Sequence, residues 1–154
     1  MTRRIVWLAA GLVIGGAALV LIFRAPGETL SQDNLQAARI RWEKSGPKNY
    51  DMEIVLTGVQ DNTHRIEVRE RKVVRMETGG VEVASKSSRA SWSVEGMFTT
   101  LERELENVGA VHGASEVVLR VVYDVRLGYP KRFLRHVAGQ KNSIEWEVHS
   151  FDER

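Results

Sequence analysis

The stretch of this 154-residue chain whose residue types best suit chemistry is Tyr123-Asp124-Val125-Arg126-Leu127-Gly128-Tyr129-Pro130. An aspartate at the end of an apolar strand, beside a turn bearing a tyrosine, sits where a carboxylate can act as a general base or hold a ligand. Asp124 and Tyr129 are therefore the candidate catalytic pair. A structural use competes with this and suits the residue types better: an aspartate entering a turn caps its own backbone amides, Gly128 permits a positive φ, and Pro130 opens the next strand. The histidines His64, His112, His136 and His149 are widely spaced, with no His-x-His and no His-Glu-x-x-His, so a metal site would have to be assembled by the fold alone. No metal or cofactor is expected. Neither a Gly-x-Ser-x-Gly elbow nor a Gly-rich phosphate loop occurs, and with no cysteine there is no thiol nucleophile, disulfide or lipid on an N-terminal cysteine.

A second group of candidates concerns binding. Residues 116–124 read as the strongest strand, with Val117, Leu119, Val121 and Tyr123 on one face and Val118, Arg120 and Val122 on the other. Valines on a face that should be polar point to a covering helix or a groove for a partner, so Val118, Arg120 and Val122 are candidate binding residues. Such a run is expected at the centre of its sheet. Two basic clusters, Arg65, Arg69, Arg71, Lys72 and Arg75, and then Lys131, Arg132 and Arg135, are interleaved with or faced by Glu67, Glu70, Glu77, Glu145 and Glu147. Mixed signs at that spacing indicate a solvated, internally paired surface.

The elements that must position these residues follow from periodicity. A capping box at Thr29 and Gln32 starts a helix whose stripe is Leu35, Ala38 and Trp42, stopped by Gly46-Pro47. The period then changes to two: Tyr50, Met52, Ile54 and Leu56 face one way, and His64, Ile66 and Val68 repeat the pattern after a turn at 58–62. Val73 to Met76 and Val81 to Val83 flank Gly79-Gly80, completing a four-strand meander. Residues 84–91, rich in serine, read as a loop. Ser93 caps a second helix with Val94, Met97, Phe98, Leu101, Leu105 and Val108 at spacings of three and four. Three strands follow, through Val117, through Phe133, and over 143–151 with Ile144, Trp146 and Val148 inward. Glu145 and Glu147 would face Arg132, Arg135 or His136 across the last hairpin. Short connections imply an α+β domain: an antiparallel meander sheet of about seven strands with two helices packed on one face.

The N-terminus is of another kind. Seventeen of the apolar residues lie in the first 23 positions, and residues 5–23 form 19 consecutive positions without a charge. At about 1.5 Å per residue a helix of that length reaches about 28 Å, close to the hydrocarbon thickness of a bilayer. A cleaved signal peptide would have a shorter apolar core and a better cleavage site than Ala25-Pro26-Gly27. Arg3 and Arg4 favour a cytoplasmic N-terminus, against Arg24 on the far side. Gly11 and Gly15 have the Gly-x-x-x-Gly spacing that lets two membrane helices meet, so a homodimer through this helix is an alternative expectation. The resulting division is 1–4 cytoplasmic tail, 5–23 single-pass signal anchor, 24–34 linker and helix start, 35–151 extracytoplasmic domain, 152–154 tail. From position 24 onward basic and acidic residues balance at 20 each, which removes the bulk electrostatic term that nucleic-acid binding uses.

Several stretches together, Ala38-Arg39-Ile40-Arg41-Trp42 then Tyr50, Val68-Arg69 to Val73-Val74, Ser93-Val94-Glu95-Gly96-Met97-Phe98, Tyr123-Asp124 with Leu127-Gly128-Tyr129-Pro130, and Trp146-Glu147-Val148, resemble the domain-of-unknown-function family 6174. The likeness runs from about Leu35 to Phe151. It implies a bacterial cell-envelope location, outside the cytoplasmic membrane, and supplies no catalytic residues. Many members resemble each other in a cysteine-bearing segment after the first strand, where this chain has Thr57-Gly58-Val59-Gln60. The expectation from residues and resemblance together is a membrane-anchored, non-enzymatic binding or structural module facing an envelope protein or ligand. The alternatives are an envelope hydrolase with a fold-assembled site near Asp124, and a subunit that dimerises through its membrane helix.

Overall fold

The computed structural model describes residues 27–58, 61–110, 117–141 and 143–154. Among them no helix is long and apolar enough to cross a membrane, and the segment 5–23 with Gly11 and Gly15 lies outside the described residues.

The domain is α+β. Eight strands, β1 (Glu28–Thr29), β2 (Tyr50–Thr57), β3 (Asn62–Arg69), β4 (Lys72–Thr78), β5 (Val81–Glu82), β6 (Val117–Tyr123), β7 (Pro130–Val137) and β8 (Ile144–Glu153), form one antiparallel sheet in the order β1-β6-β7-β8-β2-β3-β4-β5. Two meanders are thus joined where β8 pairs with β2. Three helices complete the domain: α1 (Gln32–Ser45), α2 (Lys86–Ala90) and α3 (Val94–Ala110). Leu35, Ala38 and Trp42 of α1 and Val94, Met97, Phe98 and Leu101 of α3 are buried with Tyr50, Met52, Ile54, Ile66, Val68, Met76, Leu119, Val121, Phe133, Trp146 and Val148 of the strands. These are the alternate positions of each strand, which is why one face is apolar and the other charged.

Four expectations are corrected. The sheet has eight strands, because Glu28 and Thr29 pair with Val121 and Arg120 instead of starting a helix. The helix cap is consequently Ser31, whose hydroxyl accepts from the Asn34 amide while Asn34 Oδ1 accepts from the Ser31 amide. Residues 86–90 form a short helix capped by Ser85, with no buried residue and hence no apolar period to read. The apolar strand β6 lies next to the sheet edge, where only the two residues of β1 cover it. Its outer valines Val118 and Val122 are half-buried; they stand across from His136 and Arg132, and Gly27 closes on Val122.

Three register shifts bend the sheet. Glu53 and Ile54 oppose Ser150 and Val148, leaving His149 as an extra residue of β8; Val74 and Lys131 occupy the same position in β4 and β7. The shift at His149 turns Phe151 back onto the core side, where it stacks on Tyr129 (centroids 4.5 Å apart) and on Tyr50 (4.9 Å).

Candidate functional site

Asp124 follows β6 directly. Its Oδ1 accepts from the amides of Arg126 (3.0 Å) and Leu127 (2.7 Å), its own amide donates to the Tyr129 carbonyl, and its carbonyl accepts from the Gly128 amide. That is the bonding of a capped turn. Tyr129 is buried, stacked on Phe151 and edge-on to Trp42, and burial, followed by the charge of Asp124, pushes its hydroxyl up to about 12. No histidine is hydrogen-bonded to Asp124 among the described residues: His64 Nδ1 meets the Thr78 hydroxyl, and His136 Nδ1 meets Ser143. Among the described residues no group of three or more His, Asp or Glu is placed to hold a metal.

The binding candidates separate. Arg120 donates to the Gly27 carbonyl at 2.9 Å and so fastens the chain's entry into the domain, while Val118 stands across from His136. Val122 alone lines a cleft of about 470 Å³, with Gly27, Ala37, Arg41, Val121 and Val125 around it. The hydroxyl of Tyr123, which also lines this cleft, has no hydrogen-bond partner among the described residues.

A more polar site, of about 270 Å³, opens between α1 and α3 and is lined by Arg39, Trp42, Glu43, Arg71, Glu95 and Phe98. Glu95 is its centre. Its Oε1 accepts from Trp42 Nε1 at 3.0 Å and from Arg71 at 3.2 Å, while its Oε2 is shielded from solvent and lacks a partner. A carboxylate held by one oxygen only keeps strong accepting capacity in reserve. Arg39 lies over the Phe98 ring, 5.7 Å from its centroid, and pairs with Glu102 at 3.1 Å.

The placement of Arg71 is costly. Glu70 and Arg71 form the two-residue turn between β3 and β4 with φ of +49° and +62°. Such turns require positive φ at both positions and usually take glycine or asparagine, so two long side chains here cost roughly 1–2 kcal/mol each. The loop before β2 compensates: Asn49 Oδ1 accepts from the Glu70 amide and the Lys48 carbonyl from the Arg71 amide, both at 2.8 Å. Backbone strain held in place this way is a mark of functional positions.

In the sequence Glu95 falls outside the apolar stripe of its helix, and Arg71 belongs to a basic cluster. A Glu-Arg pair at a hairpin tip without glycine is the feature that singles out Arg71. Elsewhere the arginines of the basic clusters are paired: Arg75 with Glu77 and Arg132 with Glu145 as their spacing implies, but Arg65 and Arg69 with Glu53 and Asp51 of β2. Arg135 differs, since it points to the helix side and pairs with Glu104 of α3.

The model of the family described as "Family of unknown function (DUF6174)" matches residues 34–134. No curated protein sequence matches the chain. The matched range starts within α1 at Asn34, contains the β3–β4 turn, α3 and the Asp124 turn, and stops within β7.

With two thirds of its length matched, the chain belongs to this family.

Proposed function

We propose that this DUF6174 chain is a non-enzymatic binding module of the cell envelope, tethered by residues 5–23 to the outer side of the cytoplasmic membrane, with the cleft around Glu95 as its ligand site. The observation that carries the binding role is the half-satisfied Glu95 carboxylate in a cleft it shares with Arg39, Arg71, Trp42 and Phe98. A ligand that suits it brings a donor for Glu95, an acceptor for the guanidiniums and a short apolar part, which is the chemistry of an amino acid or peptide terminus. The bonding of Asp124 argues in the same direction, because its Oδ1 is taken by two turn amides. The tether rests on the 19 uncharged positions and on Arg3 and Arg4 before them.

Native mass spectrometry of the full chain extracted from membranes tests the site. Wild type should carry a small bound mass that Glu95→Gln and Arg39→Ala lose; identical adducts on all three would remove the cleft from consideration. For the placement, a C-terminal reporter active only outside the cytoplasm should be active, and one fluorescent only inside should stay dark. A bright inside reporter would reverse the orientation.

A further inference from the structure

Resting on the tethered reading above, we propose that the end of the domain formed by the Asp124 turn and the outer face of α1 is a bilayer-contacting surface, seated on anionic lipid headgroups. The described chain begins at Gly27, and Gly27 lines the same cleft as Ala37, Arg41 and Val125. From Phe23 to Gly27 an extended chain reaches at most about 14 Å. The headgroup layer on one side of a bilayer is about 5–8 Å deep, so this end of the domain lies at or just above it.

The exposed side chains there suit that position. Val125, at the tip of the turn, is 89% exposed, and Ile40 on α1 is 55% exposed. Ala37, Ile40, Arg41 and Lys44 are three and four residues apart and share one helix face, with Asp33 as the acid at its start. The turn is fixed to that helix, because Gly128 approaches so closely that a Cβ on it would lie 2.5 Å from the Ala38 carbonyl oxygen and 2.9 Å from Arg41 Cβ. Val125 is thereby held beside Arg41. Neither Arg41 nor Lys44 is in an ion pair among the described residues; in the basic hairpins Arg65, Arg69, Arg75 and Arg132 are paired while Lys72 and Lys131 are not. Arg41 and Lys44 flank exposed aliphatic side chains at the point where the tether enters and match an anionic interface, with Glu28 of the same cleft and Asp33 as the acids beside them. Exposure alone does not select the surface: Val81 is 71% exposed, but on β5 it sits at the far edge of the eight-strand sheet, six strand spacings or about 29 Å along the sheet from β6, which leads into the Val125 turn.

The chain has no cysteine, so single labels need no background removal. Full-length Leu12→Cys, Val125→Cys and Val81→Cys, each carrying a small fluorophore, are reconstituted in vesicles of phosphatidylcholine and phosphatidylglycerol. Chain-brominated lipid should quench the Leu12 label, and a headgroup nitroxide should quench the Val125 label several-fold more than the Val81 label. Adding Arg41→Glu and Lys44→Glu should bring the Val125 label down to the Val81 level. Equal quenching at Val125 and Val81, with Leu12 still quenched, overturns the surface and leaves the tether standing. An unquenched Leu12 label overturns both. Excimer formation between pyrene labels on Val125, without headgroup quenching, would assign the face to a second copy and overturn the lipid assignment.

Discussion

The indole of Trp42 donates to Glu95 Oε1 at 3.0 Å, and with the Arg39–Glu102 pair at 3.1 Å it ties α1 to α3 through polar groups. Trp42 is otherwise fully buried and edge-on to Tyr50, Tyr129 and Phe151, so the one polar atom of the ring is directed at the Glu95 carboxylate of the cleft. Removing the N–H leaves Glu95 with Arg71 alone and a smaller ring in the same space. Trp42→Phe should cost about 2–3 kcal/mol in denaturant unfolding of the detergent-solubilised chain. Glu95→Gln, which keeps the accepting oxygen, should cost clearly less, and an equal loss for both would mean that the charge of Glu95 matters to the fold more than the bond does.

The Asp124 turn separates a structural from a catalytic aspartate. Asparagine keeps an accepting oxygen for the amides of Arg126 and Leu127, whereas alanine leaves both without it. Asp124→Ala should lower stability by about 1–2 kcal/mol and Asp124→Asn by a few tenths. The ordering is read from thermal midpoints. A full loss in the asparagine variant would mean that the negative charge is needed, reopening a role for the carboxylate beyond the turn.

Much of this fold was legible because the chain's periods are clean where burial is one-sided. Leu35, Ala38 and Trp42 mark α1, and Tyr50, Met52 and Ile54 mark β2, since each set must be withdrawn from water together. What was not legible depends on partners that a local pattern does not contain. Two residues of β1 are too few to show alternation, so Thr29 reads as a cap although Ser31 performs that task. The extra residue at His149 is defined only against Glu53 and Ile54, residues far away in sequence. The place of β6 beside an edge follows from strand order, not from its own valines. The cleft at Glu95 was missed for the same reason: its groups come from α1, the β3–β4 turn and α3, and locally Arg39, Arg71 and Glu95 read as ordinary surface charges while Trp42 and Phe98 read as core.

Gly128 is the glycine on which the α1 contact depends. Its φ of +85° is unfavourable for any side chain, and a Cβ would also meet the Ala38 carbonyl oxygen at 2.5 Å. Strain and overlap act together, so Gly128→Ala should cost more than the roughly 1–2 kcal/mol of the backbone conformation by itself. Gly80, at φ +83° with nothing near its Cβ direction, provides the control, and Gly80→Ala should show the conformational cost alone. Equal midpoints for the two variants would show that α1 yields to the added methyl.

The chain holds three tyrosines, and burial raises the pKa of all of them above the ordinary 10.0, with Tyr129 pushed up to about 12. Tyr50 is fixed further by accepting from the Val94 amide at 3.0 Å, a bond that joins β2 to the start of α3. In the unfolded chain each hydroxyl ionises near its ordinary value, so above that pH the unfolded state has lost protons that the folded state keeps. The contribution to stability is therefore complete below about pH 10 and is lost as pH rises from there through the folded-state value, which is about 12 for Tyr129. Tyrosinate absorbance during an alkaline titration should stay flat through pH 10 and then rise in one step together with the loss of helix signal. A gradual rise centred at the ordinary value while helix signal persists would show that at least one of the three hydroxyls is open to water, with Tyr129→Phe identifying whether it is the one beside Asp124.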